Sequence, residues 1–277
     1  MTTTAQRSTI RSIILGLLIA WLVKLHWFVI GYRIYRARPL IDDFFPAPMQ
    51  VLWLAGLWYL LPLGIALWGL ARRSPQLYQL TLGAFALSSL CLLLHQATYN
   101  DATFVTTMWT AAIALWFARR PCADPNAPAK LAQLTQMLIG MLFIGGFAGK
   151  LTPGYLSGAT LHEIYFVARD HWSFNLARSV LEPDQLPVAA MAYSHFVLVC
   201  EALLASLPLW PARRALPFAM IGLIGLTLLN NFLLLSVVLG PLTLAACAMT
   251  LLRMNRSTVR TTPPPASLRA TIDESST

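Results

Sequence analysis

Long apolar runs follow one another along the chain and are separated by short polar stretches. An α-helix of about 20 apolar residues spans the hydrocarbon core of a bilayer. The pattern therefore predicts eight membrane-spanning helices, at Ile13–Tyr32, Gln50–Ala71, Leu77–His95, Ala102–Ala118, Leu131–Gly149, Leu186–Trp210, Leu216–Leu233 and Leu235–Leu252. The last two form one apolar stretch that is too long for a single span. Gly240 and Pro241, in "LSVVLGPL", offer a hinge or a break there.

Composition favours the same fold class, an all-α polytopic integral membrane helix bundle. The chain is 57% hydrophobic and only 11% charged, whereas a soluble domain is about 25% charged. We therefore expect a lipid bilayer as its partner. The polar first twelve residues run directly into an apolar helix without a small-residue cleavage site, which favours a retained helix over a signal peptide.

Basic residues predict the orientation of the bundle. The net charge is +9, and the positive charges cluster in alternate loops, as the positive-inside rule requires; we expect no nucleic-acid partner. The clusters that fall on the side of the two termini are Arg7 and Arg11, Arg72 and Arg73, Arg119 with Arg120 and Lys130, Arg213 and Arg214, and Arg253 with Arg256 and Arg260. The exceptions are Arg33, Arg36 and Arg38, which follow the first helix.

This distribution predicts a multi-pass protein of the cell (inner) membrane with both termini cytoplasmic. Residues 1–12 form a cytoplasmic segment, and residues 13–252 form the transmembrane domain. Within that domain, residues 151–185 lie on the exterior. The Pro-rich residues 253–277 form a disordered cytoplasmic tail.

The predicted exterior side receives the remaining polar chemistry. It holds Asp42, Asp43, His95, Asn100, Asp101, Lys150 and the whole of segment 151–185. A chemical site would therefore face the periplasm or the exterior. The alternative is that outer loops are simply where neutral and acidic residues belong.

Cysteine and metal chemistry are not indicated by the sequence. The four cysteines include no CxxC pair, so we expect neither a disulfide framework nor a thiol relay. His162 and Glu163 stand in "HEIYF", which lacks the second histidine of the HExxH zinc motif. We expect no metal site.

Three charged positions lie within or at the edge of the apolar runs. Lys24 lies in the outer half of the first helix, where a lysine can snorkel to the interface. Glu201 lies near the middle of the sixth, where a carboxylate is costly and must be paired, hydrogen-bonded or protonated. Asn230 and Asn231 are its expected neighbours. Lys150 ends a charge-free run and is either a functional group or a plain stop-transfer lysine.

The stretch "LFIGGFAGKLTPGYLSG" resembles the signature of the vitamin K-dependent gamma-carboxylase family and its bacterial relatives, the HTTM (horizontally transferred transmembrane) proteins. "TYNDATFV" is similar to the family's aromatic-Asn-Asn-His-Ser-Tyr stretch. The likeness covers roughly residues 10–250. The positions that match are Tyr99, Asn100, Thr103, Phe104, Lys150, Leu151, Tyr155 (usually Trp in the family), Gly158, Glu201 and Asn230.

The resemblance implies a quinol- and O2-dependent oxygenase or carboxylase with a reduced quinone of the vitamin K type as cofactor. It implies that Lys150 is the base that deprotonates the quinone and that Glu201 is the family's intramembrane acid. The family's first catalytic histidine corresponds to Ala102, which leaves His95 and Asp101 as the nearest candidates for that role. The expected cofactor-binding residues are Tyr99, Asn100, Gly146, Gly149, Tyr155 and Asn230.

Two classes of function remain open at this point. The first is an enzyme that acts on an exterior peptide or small molecule. The second is a non-catalytic membrane protein that supports the maturation, export, immunity or redox function of a partner; "GGFAGKL" before a Glu-bearing helix also resembles DoxX proteins. The second family histidine, near Thr227, is also missing, which favours the second class. Retention of Lys150, Tyr99, Asn100 and Glu201 favours the first.

Overall fold

Helices account for nearly all of the chain that the structure describes. The structure is a computed structural model, and it describes residues 2–37, 51–95, 98, 101–230 and 232–261. The α-helices are α1 Thr3–Ala37, α2 Leu52–Arg72, α3 Pro75–Leu93, α4 Ala102–Ala118, α5 Ala127–Lys150, α6 Pro153–Leu156, α7 Ala159–Leu161, α8 Trp172–Val180, α9 Leu186–Ala205, α10 Ala212–Asn230 and α11 Leu235–Thr261. A π-helical turn covers His162–Val167, and 3-10 turns cover Leu207–Leu209 and Phe232–Leu234. No strand occurs in these ranges.

The all-α membrane bundle predicted from the sequence is confirmed. Seven of the described helices are long and apolar enough to cross a membrane. The fourth predicted span, α4, has 17 residues, so at about 1.5 Å per residue it falls slightly short of the bilayer core.

The long apolar stretch 216–252 forms two helices, α10 and α11, as its length requires. The separation lies between Asn230 and Leu235, and Pro241 lies inside α11 without breaking it. Neighbouring helices make a buried proline tolerable in a membrane bundle. A Cβ built at Gly240 would lie 2.8 Å from Thr110 Oγ1, so this glycine lets α11 pack closely against α4.

An aromatic cluster joins α1 to α2, α3 and α4. Trp21 is fully buried, and its ring lies 4.7 Å from Tyr59, 5.3 Å from Phe85 and 5.6 Å from Phe104, centroid to centroid. Its indole N–H donates to Thr107 Oγ1 at 3.0 Å. Large rings with a satisfied polar atom fill this half of the bundle core.

The beginning of α1 and the end of α11 lie together, at what we call the terminal end of the bundle. Both line one groove, which contains Thr2 and Met254. Gln6 Nε2 donates to the carbonyl of Arg120 at 2.9 Å, and Arg213 and Arg253 line a second groove. Arginines from three of the predicted basic clusters, Arg120, Arg213 and Arg253, therefore lie at this end of the bundle.

The predicted terminal segments are more helical than expected. Helix α1 begins at Thr3, within the predicted segment 1–12, and α11 continues to Thr261. The rest of the predicted disordered tail, residues 262–277, lies outside the described residues.

Candidate functional site

Lys150 ends α5, and its ammonium group points back into the bundle. The Nζ atom lies 2.7 Å from Glu201 Oε1 and 3.4 Å from the carbonyl oxygen of Gly146, one turn earlier in the same helix. Helical side chains lean toward the N-terminus of their helix. A stop-transfer lysine that snorkels would extend the other way, beyond the end of α5. This lysine is instead one half of an ion pair between α5 and α9.

Glu201 is the buried half of that pair. The residue is 7% exposed, and its Oε1 accepts from Lys150. Its second oxygen, Oε2, is also buried and has no hydrogen-bond donor among the described residues. A buried carboxylate is stable only when its remaining lone pairs are also satisfied. Oε2 is therefore an acceptor directed at a group that the described chain does not supply.

Gly146 allows the carboxylate to come close to α5. A Cβ built at this glycine would lie 3.3 Å from Glu201 Oε1 and 3.5 Å from Oε2. By contrast, a Cβ at Gly149 would meet no atom within 4 Å. Neither glycine is among the described residues that line the cavity beside the pair. Of the two glycines predicted to bind a cofactor, only Gly146 touches the ion pair.

A cavity of about 260 Å³ lies beside the pair. Its polar lining consists of Lys150, Tyr155, Tyr165, Arg169, Glu201 and Asn230. Its apolar lining consists of Ala102, Leu142, Phe143, Leu161, Val197, Leu223, Leu226, Leu234, Val237, Val238 and Pro241. Three predicted residues, Tyr155, Glu201 and Asn230, thus share one cavity with Lys150.

The short helix α6 brings Tyr155 to the cavity. Ser194 of α9 donates a hydrogen bond to the carbonyl of Tyr155. Gly158 has a φ of 78°, and a Cβ there would lie 2.4 Å from the backbone nitrogen of Met191. Only glycine permits this turn and this approach to α9. The chain after Lys150 is therefore fixed against α9.

The hydroxyl group of Tyr155 keeps its proton in this setting. Its ring centroid lies 5.9 Å from Lys150 Nζ. Burial raises the pKa of its hydroxyl, and the nearby Glu201 carboxylate raises it further. A phenol in this environment keeps its proton, because the charged form is both desolvated and repelled.

Asn230 lines the cavity with its amide already engaged. Its Oδ1 accepts from the Tyr193 hydroxyl at 2.9 Å, and its Nδ2 donates to the carbonyl of Leu226 at 2.9 Å. The sequence placed Asn230 beside Glu201 as a hydrogen-bonding partner, but the partner of Glu201 is Lys150. Asn231 lies outside the described residues.

Arg169 and Tyr165 line the cavity without having been predicted to do so. The guanidinium carbon of Arg169 lies 5.0 Å from the centroid of the Tyr165 ring. In the sequence, both are ordinary members of the polar and aromatic segment 151–185, and nothing in their spacing distinguishes them. Only the fold brings them to the cavity, Tyr165 from within the π-helical turn and Arg169 from just after it.

Asp101 and His95 belong to a different polar group. Asp101 Oδ1 accepts from the backbone N–H of Thr103 at 2.9 Å and so caps α4. Its Oδ2 lies 2.6 Å from Lys24 Nζ. The side chain of Lys24 is 12% exposed, so this lysine is paired inside the bundle and does not snorkel.

His95 is buried, with its ring 5.4 Å from that of Tyr32. Neither His95 nor Asp101 is among the described residues that line the cavity, although Ala102, next to Asp101, is. Tyr99 and Asn100, the other two predicted residues here, lie outside the described residues. Among the described residues, no group of three His, Cys, Asp or Glu side chains could hold a metal ion.

No protein-family model, curated protein or solved structure matches this chain. The functional argument therefore rests on the residues and geometry of the cavity itself.

Proposed function

We propose that this multi-pass membrane protein binds a small hydroxylated ring compound, of the reduced-quinone type, in the Lys150 cavity and takes a proton from it. The observation that carries the proposal is that Glu201 lines the cavity while its buried Oε2 atom lacks a donor among the described residues. A phenolic O–H supplies the missing donor.

The size and lining of the cavity support a ring compound. Small-molecule sites usually occupy about 300–1,000 Å³, so 260 Å³ suits one ring system better than a peptide. The aliphatic side chains from α10 and α11 offer an apolar wall, and the polar groups lie on Lys150, Glu201 and the segment that follows α5. This division matches an amphipathic ligand.

The ion pair supplies an acceptor and a positive charge. A reduced quinone, when bound, supplies a phenolic proton and, with O2, an oxidant. Glu201 Oε2 would accept that proton, and the Lys150 ammonium would stabilise negative charge at the ring oxygen. Lys150 can itself act as a base only after its proton has passed to Glu201, 2.7 Å away. The geometry therefore favours Glu201 as the acceptor and Lys150 as its electrostatic partner.

We also propose that the terminal end of the bundle is cytoplasmic and that the cavity faces the periplasm or exterior across an inner membrane. The support is the gathering of Arg120, Arg213 and Arg253 at the terminal end. Positive residues favour the cytoplasmic side of a membrane protein.

A second candidate function is that of a non-catalytic membrane protein, of the HTTM or DoxX type, which supports a partner. The observation that favours it is Ala102, which lines the cavity where the resembling family has a histidine. A methyl group cannot move a proton, so the carboxylating half of the family's chemistry has no matching group at this position. In this case the Lys150–Glu201 pair would only join α5 to α9.

Binding of 1,4-naphthalenediol to the purified protein, measured without oxygen in nanodiscs, tests the proposal. Glu201→Gln should weaken binding by about tenfold or more, because a charge-assisted hydrogen bond is worth about 1.5–3 kcal/mol. His195→Gln, at an exposed position of the same helix, is the matched control and should bind as the wild type does. If the wild type does not bind the diol, the supporting-protein function stands instead.

Lys150→Arg separates the two roles of the ion pair in the same assay. Arginine keeps the positive charge but cannot give up its proton near neutral pH. Proton release from the bound diol should persist in Lys150→Arg if Glu201 is the acceptor. Its loss, with binding retained, would transfer the role of base to Lys150.

A further inference from the structure

We infer that the ligand of this cavity carries an acidic substituent and that Arg169 binds its oxyanion. The inference rests on the proposed function, since it concerns the same cavity, and it specifies the chemical class of the ligand. Neither the ion pair nor the quinone resemblance requires an acid on the ring.

The charges on the cavity wall are not balanced. Lys150, Glu201 and Arg169 are the charged residues among the described residues that line it. Lys150 and Glu201 neutralise each other at 2.7 Å. Arg169 forms no ion pair within the described part of the chain, so the lining retains one uncompensated positive charge. A partly desolvated cation beside an apolar wall favours an anionic ligand.

The acidic residue next to Arg169 in the sequence does not compensate this charge. Asp170 Oδ1 accepts from Asn175 Nδ2 at 2.8 Å, in α8. It is therefore oriented toward the following helix. The positive charge at the cavity remains available to a ligand.

Arg169 also differs from the structural arginine of the same segment. The guanidinium of Arg178 donates to the carbonyls of Phe166 and Arg169, at 2.7 and 2.9 Å, and so joins α8 to the π-helical turn. The guanidinium of Arg169 donates to no backbone carbonyl among the described residues. The guanidinium carbon of Arg169 lies over the Tyr165 ring, 5.0 Å from the centroid. A guanidinium is a planar fork of N–H donors that matches a planar carboxylate.

Together these groups define a ligand with two polar ends. A hydroxyl meets Glu201 Oε2, and an oxyanion meets Arg169. The ring between them packs against side chains such as Leu223, Leu226 and Val238. An acidic hydroquinone, with a carboxylate on the ring, has all three features in one molecule. The alternative is two separate ligands, a neutral hydroxylated ring and a small oxyanion, which together would supply the same groups.

Two ring compounds that differ only in the acid test the inference. They are 1,4-naphthalenediol and 1,4-dihydroxy-2-naphthoate, each titrated without oxygen against protein in phosphatidylcholine nanodiscs. The wild type should bind the acid about tenfold or more tightly than the diol, as expected for a charge-assisted bidentate contact. Arg169→Gln should abolish that preference, so that the affinities of this variant for the two compounds agree within about twofold. Arg119→Gln, an exposed arginine beyond the end of α4, is the control and should behave as wild type.

Each failure has a separate signature. The inference is overturned if the wild type binds the two compounds equally, or if the preference for the acid persists in Arg169→Gln. In either case, binding of the diol to the wild type leaves the proposed function in place. Failure of the wild type to bind either compound overturns both. If the wild type binds the two compounds equally, and excess acetate raises the affinity for the diol in wild type but not in Arg169→Gln, Arg169 binds a separate small oxyanion and the acidic ring is excluded.

Discussion

At the scale of single residues, two lysines that look like membrane-edge anchors are both held in ion pairs. Lys24 meets Asp101 and Lys150 meets Glu201, at 2.6 and 2.7 Å. Each pair joins two helices that are not consecutive. Removing one partner of such a pair leaves an uncompensated charge and costs more than the pair contributes. The two ion pairs therefore restrict which helices can lie together, and the Lys150–Glu201 pair also supplies charged groups to the cavity.

Gly146 and Gly149 form a matched pair for testing this contact. Gly146→Ala places a methyl group 3.3 Å from Glu201 Oε1, so the carboxylate must shift and ligand affinity should fall about threefold or more. Gly149→Ala meets open space and should leave affinity unchanged while stabilising the helix by up to about 1 kcal/mol. Thermal unfolding and diol titration measure both effects. Unchanged affinity in Gly146→Ala would show that the position of the carboxylate is not critical.

At the scale of elements, the segment between α5 and α9 covers one end of α10. The last carbonyls of a helix lack intrahelical donors, and α8 supplies them: Trp172 Nε1 donates to Leu228 and Ser173 Oγ to Leu229, at 2.7 and 2.6 Å. The same segment carries Tyr155, Tyr165 and Arg169 into the cavity. Its docking therefore determines whether the site is complete.

We expect this docking to depend on pH through His171. Its Nδ1 lies 2.9 Å from Ser173 Oγ, and its buried Nε2 has no partner among the described residues. Burial lowers the pKa of His171, the charge of Arg169 lowers it further, and Asp170 opposes them. In the undocked segment His171 has its ordinary pKa of about 6.5. The side chain therefore binds a proton more readily in the undocked segment than in the docked one. The contribution of neutral His171 to the free energy of docking is therefore fully present above about pH 6.5. Below that pH the docking free energy weakens by at most about 1.4 kcal/mol per pH unit.

Hydrogen exchange of the amides in α8 measures this effect. After correction for intrinsic rates, protection should be lower at about pH 5 than at about pH 7.5 in the wild type. His171→Asn removes the titrating group and should remove the difference. Equal protection of the wild type at both pH values would contradict the expectation.

At the scale of the whole molecule, the eight predicted crossings and the positions of the basic clusters are consistent with one another. The contact between Gln6 and the carbonyls of Phe117 and Arg120 brings the start of the chain to the loop after α4. Arg33, near the end of α1, lies at the opposite end as the exception to the positive-inside rule. Reversing the bundle would place every other basic cluster on the wrong side.

Reporter fusions test this orientation directly. Fusions after Arg73, Arg120 and Arg214 should report the cytoplasm, and a fusion at Gly158 should report the exterior. With a phosphatase reporter that is active only in the periplasm, the fusion at Gly158 should be active and the other three fusions inactive. A cytoplasmic signal at Gly158 would place the cavity on the other side of the membrane and require a cytoplasmic ligand.

The sequence by itself determined the helices and their alternation. The eight spans were predicted because hydrophobic length is a local property that one window of sequence contains. Local context also identified Lys150, Glu201 and Asn230 as notable polar positions, whereas Tyr155 was predicted from the family resemblance. The extra helical turns at α1 and α11 were missed, because helix can continue beyond the membrane without an apolar pattern.

Only the tertiary structure decided which of these residues meet. A lone intramembrane charge indicates that a partner exists, since burial alone is too costly, but it does not identify that partner. The partner depends on which helices are neighbours and how each is rotated about its axis, and these follow from packing across the whole bundle. For this reason Glu201 paired with Lys150 and not with Asn230, Asp101 paired with Lys24 away from the cavity, and Arg169 entered a site that no spacing in the chain foretold.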